Sequence, residues 1–179
     1  MIALYIVLEL LALLIAVVLI RTALFKAKPA TEILEGEEDF NKEKAVENLR
    51  ALVRFKTVSY RDASLEDSAE FEGLIKALPK LYPNVFKTCE FNQLPDRALL
   101  FKWKGKNEGE PAVLMAHYDV VPVAEEGWDK PPFEAILEDG VIWGRGTLDT
   151  KVTFNGVLSA ADDLISKGFV PENDIYFAF

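Results

Sequence analysis

Three residues in one stretch of this chain could do metal chemistry: His117, Asp119 and Asp149. His117 ends the apolar run Val113-Leu114-Met115-Ala116, and Asp119 follows it by two positions. Side chains alternate along a strand, so the two point the same way if the strand extends that far. That spacing suits an imidazole that meets a metal ion through one nitrogen while a carboxylate receives the N–H of the other. Such a carboxylate fixes the tautomer, raises the basicity of the ligating nitrogen and keeps it unprotonated. The same His-x-Asp spacing also describes a histidine at a strand end that only hydrogen-bonds its neighbour. Asp149 closes the turn Gly144-Arg145-Gly146-Thr147-Leu148 just before a helix, where an aspartate is most often a cap. The two glycines let the backbone turn tightly, but their spacing is not that of a dinucleotide or phosphate-binding loop. A nearby carboxylate is the expected partner of Arg145.

Composition narrows the context. The chain has 179 residues, half of them hydrophobic, a formal net charge of −9, one histidine and one cysteine. Without a basic stripe, nucleic acid is not an expected partner. Cys89 alone cannot form an internal disulfide, and one imidazole excludes any site that needs two from this chain. Residues 1–20 are almost wholly apolar, with Glu9 the one charge inside. Twenty helical residues span about 30 Å, the thickness of a bilayer core. No basic leading segment or small-residue cleavage site is evident, so an uncleaved single-pass anchor over 1–21 is the preferred reading over a signal peptide. Arg21, Lys26 and Lys28 follow it and would hold that flank in the cytoplasm by the positive-inside rule. Because weak N-terminal signals can be overridden, the side on which the following domain lies stays open. Residues 22–40, with Glu32, Glu35, Glu37, Glu38 and Asp39, read as an acidic linker.

The elements that must position the three residues follow from periodicity. A helix is predicted over 41–56, capped by Asn41, with Ala45, Val46, Leu49, Leu52 and Val53 on one stripe. A second is predicted over 66–80, with Phe71, Leu74, Ile75 and Leu78 inward, ended by Pro83-Asn84. Strands are predicted over 85–91 and 97–103. The run 112–116 is predicted as a strand buried on both faces. Residues 134–137 and 141–143 are predicted as strands around the Asp139-Gly140 turn. A helix over 150–167 should bury Val157, Leu158, Ala161, Leu164 and Ile165, with Gly168 just past its end. A last strand covers 174–179. The order implies an α/β fold, a mixed sheet flanked by helices, with an N-terminal transmembrane helix before a domain over 41–179.

The strand end at His117, the loop Trp128-Asp129-Lys130-Pro131-Pro132-Phe133, the Asp139-Gly140 hairpin and the turn running to Asp149-Thr150-Lys151 follow in a specific order. In that order residues 41–179 resemble metallopeptidase family M20, nearest to its carboxypeptidase S and aminoacylase-like branch. The resemblance implies the N-terminal part of a zinc-exopeptidase-like catalytic domain. It makes His117 a metal ligand, Asp119 the catalytic aspartate supporting it, and Asp149 the carboxylate bridging two zinc ions. It implies hydrolysis of amide bonds in peptides or N-acyl amino acids. In such sites paired ions activate a shared water. Val152 stands where many members have glycine. The family's Glu-Glu pair, general base and ligand, lies beyond the strand ending at Phe179. A further carboxylate, a second histidine and the lid domain come later still. None of these can be assigned in this chain, so by itself it is expected to be inactive. The alternative is a truncated, non-catalytic, membrane-tethered α/β module. Oligomeric state is not legible.

Overall fold

The computed structural model describes residues 2–26, 40–124 and 126–179. The chain divides into two units, Met1–Glu38 and Asp39–Phe179. In the first, helix α1 runs Ile2–Leu24, 23 residues with none buried. Its length and composition suffice to cross a membrane, and a signal sequence near an N-terminus meets the same description. The acidic linker expected over 22–40 falls largely outside the described residues.

In the second unit, α2 (Lys42–Arg54) starts where Asn41 Oδ1 accepts from Lys44 N at 2.8 Å. It buries Leu49, Leu52 and Val53, as its spacing predicts. Helix α3 (Ser68–Leu81) is capped by Asp67 and buries Phe71, Leu74 and Leu78. Helix α4 (Pro83–Thr88) and strand β1 (Glu90–Gln93) replace the single strand predicted over 85–91. Two things override the β-branched and aromatic residues there. Pro83 suits a first helical turn. The buried Asp162 carboxylate, from a remote helix, then accepts from Asn84 N at 2.7 Å and Val85 N at 3.2 Å.

Strand β2 (Leu99–Trp103) alternates cleanly, with Leu99, Phe101 and Trp103 buried. It begins two residues later than predicted, because Pro95–Arg97 forms a turn in which Asp96 and Arg97 have φ of 59° and 71°. Strand β3 is Ala112–Met115, and β6 is Ile175–Ala178. The sheet order is β1-β2-β6-β3, antiparallel except for the β3–β6 pair, so the sheet is mixed. This order corrects the expectation for 112–116. β3 lies at the sheet's margin, and Val113, Leu114 and Met115 are exposed instead of buried. An apolar run states a preference for burial, but only the strand order supplies neighbours.

A separate hairpin pairs β4 (Ile136–Glu138) with β5 (Val141–Trp143). Its turn residues Asp139 and Gly140 have φ of 50° and 78°, the two-residue turn that matches strand twist. Helix α5 (Val152–Ser166) ends in a Schellman motif, with Gly168 at φ 78°. There Phe169 N donates to Leu164 O at 3.0 Å and Gly168 N to Ile165 O at 2.9 Å. Its inner face differs from the apolar stripe predicted. It buries Phe154, Asn155, Leu158, Ser159, Ala161 and Asp162, while Leu164 is exposed. The polar members are acceptable inside because they are paired. Asn155 Oδ1 accepts from Tyr82 Oη at 2.8 Å, and its amide donates to Ala45 O at 3.1 Å. Helices α2 to α5 share one core with β2 and β6.

Asp162 holds α4 against α5 and also meets Lys44 Nζ at 2.9 Å. Asp162→Ala strands the buried Val85 N–H and the part-buried Asn84 N–H and should cost about 1–3 kcal/mol, read by chemical denaturation. Asp174 joins β6 to the turn after β2. It accepts from Gly105 N at 2.8 Å and pairs with Lys102 Nζ at 3.1 Å. The Gly105 N–H first, and Lys102 with it, hold its carboxyl below the usual range. A carboxyl lowered on folding stabilises above its unfolded pKa, and that contribution is lost as pH falls through the folded value. The stability advantage over Asp174→Asn should therefore be full at neutral pH and shrink below about pH 3.9. A pH series of melting curves for both proteins checks this.

Candidate metal centre

The three residues singled out from the sequence meet. His117 Nδ1 lies 2.9 Å from Asp119 Oδ1 and 3.1 Å from the Asp119 carbonyl oxygen. On its other side, Nε2 lies 3.1 Å from Asp149 Oδ1. The strand ends before His117, yet Asp119 still reaches the same ring nitrogen. Asp149 does not cap α5: that helix has no side-chain cap, and the Asp149 side chain is 88% exposed and turned to the imidazole. Its φ of −122° and ψ of 95° are extended.

The electrostatics of this trio are specific. A neutral imidazole has one N–H donor. If Nδ1 donates to Asp119, the lone pair of Nε2 faces a carboxylate oxygen, and two acceptors oppose each other. Positive charge must relieve this, either a proton on Nε2 or a cation beside it. Partial burial pulls the ring's pKa down. The Asp119 carbonyl, the Asp149 carboxylate and the Asp119 charge outweigh it and hold the ring above its ordinary value. The donors fit one part of a zinc centre, which combines imidazole and carboxylate ligands. Among the described residues no group of three or more His, Cys, Asp or Glu could hold an ion.

The turn carrying Asp149 is built by its glycines and by Lys151. Gly146 has φ 82°, and a Cβ there would lie 2.4 Å from Val120 Cγ1. Lys151 N donates to Gly146 O at 2.9 Å, closing a wide turn over Thr147–Lys151 that contains a cis peptide between Asp149 and Thr150. Val152 opens α5 with φ −63° and ψ −42°, ordinary helical values that need no glycine. Among the described residues Arg145 does not meet the expected carboxylate. Its backbone N donates to Pro132 O at 2.6 Å, which sets the residue beside the 128–132 loop, and the guanidinium lies 5.1 Å from the Trp128 ring centroid. Its Nε is buried without a hydrogen-bond partner among the described residues.

Sequence reasoning missed two residues around this centre, Thr57 and Lys151, both fully buried. Lys151 Nζ donates to Leu52 O at 2.9 Å and Phe55 O at 2.8 Å, at the end of α2. Burial pulls its amine down to about 7, against the charges of Glu70 and Asp119. A lysine inside an otherwise polar turn sends no periodic signal. Cys89 is buried, and burial pushes its thiol up to about 11, which disfavours the reactive thiolate. A cavity of about 470 Å³ opens on the Asp119 side of the trio, walled by His117, Tyr118, Asp119, Phe71, Phe179 and Arg97. Arg97 is already engaged there, by Glu66 at 2.5 Å and by the Phe71 ring at 4.1 Å.

Residues 113–179 match the family model for peptidase family M20/M25/M40. The chain is similar to the probable carboxypeptidase S-like 2 of Dictyostelium discoideum. The two are 35% identical over 170 residues, covering 89% of this chain and 33% of that protein. It is also similar to the N-fatty-acyl-amino acid synthase/hydrolase PM20D1.1 of Danio rerio. Here identity is 36% over 141 residues, covering 75% of this chain and 27% of that protein. The chain thus spans a third or less of the length of these relatives. Human carnosine dipeptidase 1 shares the fold, with a TM-score of 0.60 at 17% identity, covering 76% of this chain and 31% of that chain.

Two glycine variants separate turn geometry from packing at the centre. Gly140 and Gly146 have φ of 78° and 82°, but a Cβ at Gly140 meets open space while one at Gly146 meets Val120. Each alanine variant should pay about 1–2 kcal/mol for a left-handed backbone. Gly146→Ala should lose measurably more on chemical denaturation, and equal losses would remove the packing role given to Gly146.

Proposed function

The chain belongs to peptidase family M20/M25/M40, and on that premise we propose that it is the N-terminal part of a membrane-anchored, zinc-dependent hydrolase of amide bonds. Residues 1–21 are its anchor, 22–40 its linker and 41–179 the first part of its catalytic domain. The reading is carried by one observation, an imidazole held between two carboxylates 2.9 Å and 3.1 Å away. Substrates are peptides or N-acyl amino acids, of the carboxypeptidase or aminoacylase type. The names of the two relatives, a carboxypeptidase S-like protein and an N-fatty-acyl-amino acid synthase/hydrolase, support that class.

His117 and Asp149 would hold zinc, Asp149 as the bridge between two ions. Bound zinc supplies an activated water and polarises the amide carbonyl. Asp119 acts as the catalytic aspartate through His117. It holds the proton on Nδ1 and so presents the Nε2 lone pair outward. The Asp149 oxygen that does not face Nε2 has no partner among the described residues, which leaves it for a second cation. These three side chains cannot complete two coordination spheres and also supply a general base. Turnover is therefore assigned to a longer product, not to these 179 residues. The same incomplete donor set favours the second reading, a non-catalytic membrane-tethered α/β module.

Zinc titration of the detergent-solubilised chain by calorimetry distinguishes these states. At most one ion should bind, weakly, and binding should vanish in His117→Ala. Tight binding of two ions would contradict the incompleteness argued above. In the full-length gene product, assayed on a panel of dipeptides and N-acyl amino acids, Asp119→Asn should lower turnover by about 10–100-fold while metal content falls less. Asp149→Asn should lose metal, because an amide cannot offer two anionic oxygens. Retention of both ions and near-normal activity by Asp149→Asn would end the bridging assignment.

A further inference from the structure

The three residues of the centre sit on two loops, and neither loop explains their meeting. His117 and Asp119 follow β3, and Asp149 precedes α5. A third segment, 55–59, just after α2, lies between them and is bonded to both. On one side Lys151 Nζ donates to Phe55 O at 2.8 Å. On the other side Thr57 Oγ1 donates to Tyr118 O at 2.6 Å, between His117 and Asp119. Val120 N donates to Thr57 O at 2.8 Å, and Ser59 N donates to Val120 O at 2.9 Å. The third side of this triangle is the contact that bars a Cβ at Gly146 from Val120. Thr57 and Lys151 are both 0% exposed.

We infer that Thr57 and Lys151 are positioning residues that set the approach of Asp149 to His117 by clamping both loops to segment 55–59. Neither touches the imidazole or the Asp149 carboxylate. Thr57 acts through the carbonyl of Tyr118, the residue between His117 and Asp119, and Lys151, two residues after Asp149, acts through the carbonyls of Leu52 and Phe55. Removing either grip lets one loop shift against the other, and donors to one cation lose their shared focus with shifts of well under 1 Å. The consequence for zinc rests on the metal reading of the site. The consequence for the imidazole does not.

The test uses Lys151→Met and Thr57→Val, which keep bulk and remove the polar grip, and Thr57→Ser, which keeps the hydroxyl. Asp162→Ala is the control, destabilising through α4 and away from these loops. The chain has a single histidine, so its ring ¹⁵N signals report His117 without ambiguity. In zinc-free chain, Lys151→Met and Thr57→Val should move the Nε2 signal toward its position in Asp149→Asn. Thr57→Ser and Asp162→Ala should leave it in place. With zinc, the first two should weaken binding by about tenfold, and their double variant by less than the product, because they act on one segment. Unmoved ring signals in both variants, or the same movement in Asp162→Ala, would overturn the inference. Should Lys151→Met fail to fold, the Thr57 pair decides alone. If the wild-type chain binds no zinc while the ring signals shift as expected, the positioning role stands, and the metal reading is then decided by the metal content of Asp149→Asn in the full-length product.

Discussion

The amine of Lys151, shut into the core on the last carbonyls of α2, is the contact on which the geometry around His117 depends. An isolated ammonium inside a protein costs several kcal/mol. Here it is offset by two carbonyl acceptors at a helix C-terminus, where the helix dipole favours positive charge. The turn over 147–151 cannot slide along α2 without stranding that amine. The same turn starts α5, whose inner face carries the Asn155 and Asp162 networks to α2, Tyr82 and α4. One buried side chain thereby ties the turn that carries Asp149 to the helical layer.

Holding and acting are divided by burial. Thr57 and Lys151 are wholly buried, whereas the His117 and Asp149 side chains are 52% and 88% exposed. Buried groups with satisfied hydrogen bonds have few alternatives and hold position. Exposed carboxylates stay hydrated and remain available to a cation. Asp119 lies between these extremes, bonded to the ring through both its carboxylate and its carbonyl. The centre therefore has a rigid back and an open front, the arrangement that a shared donor pair needs.

Much of the fold was legible because much of it is local. Asn41 as a cap, Gly168 past the end of α5 and Asp139-Gly140 between β4 and β5 are chain-neighbour effects, and the structure has all three. Alternation in β2 and the apolar stripes of α2 and α3 are periodic, and their apolar sides face the core. The misreadings share one cause. α4 looks like a strand until Asp162, from another helix, satisfies its first N–H groups. β3 looks doubly buried until the sheet order leaves it at a margin. The inner face of α5 has Leu158 and Ala161 where periodicity puts them, but it also takes in Asn155, Ser159 and Asp162, which only their partners on remote segments make acceptable inside.

The sequence by itself determined the trio His117, Asp119 and Asp149, the motif order that carries the family resemblance, and an apolar N-terminal helix. Residue type and spacing express these directly, since a site must keep its chemical groups whatever surrounds them. Only the tertiary structure decided that Asp149 faces His117 instead of capping α5, and that Arg145 lies beside the Trp128 ring. Only it revealed Thr57 and Lys151. Their work is done through backbone carbonyls of remote segments, and a backbone carbonyl leaves no mark on the identity of the residue that bears it.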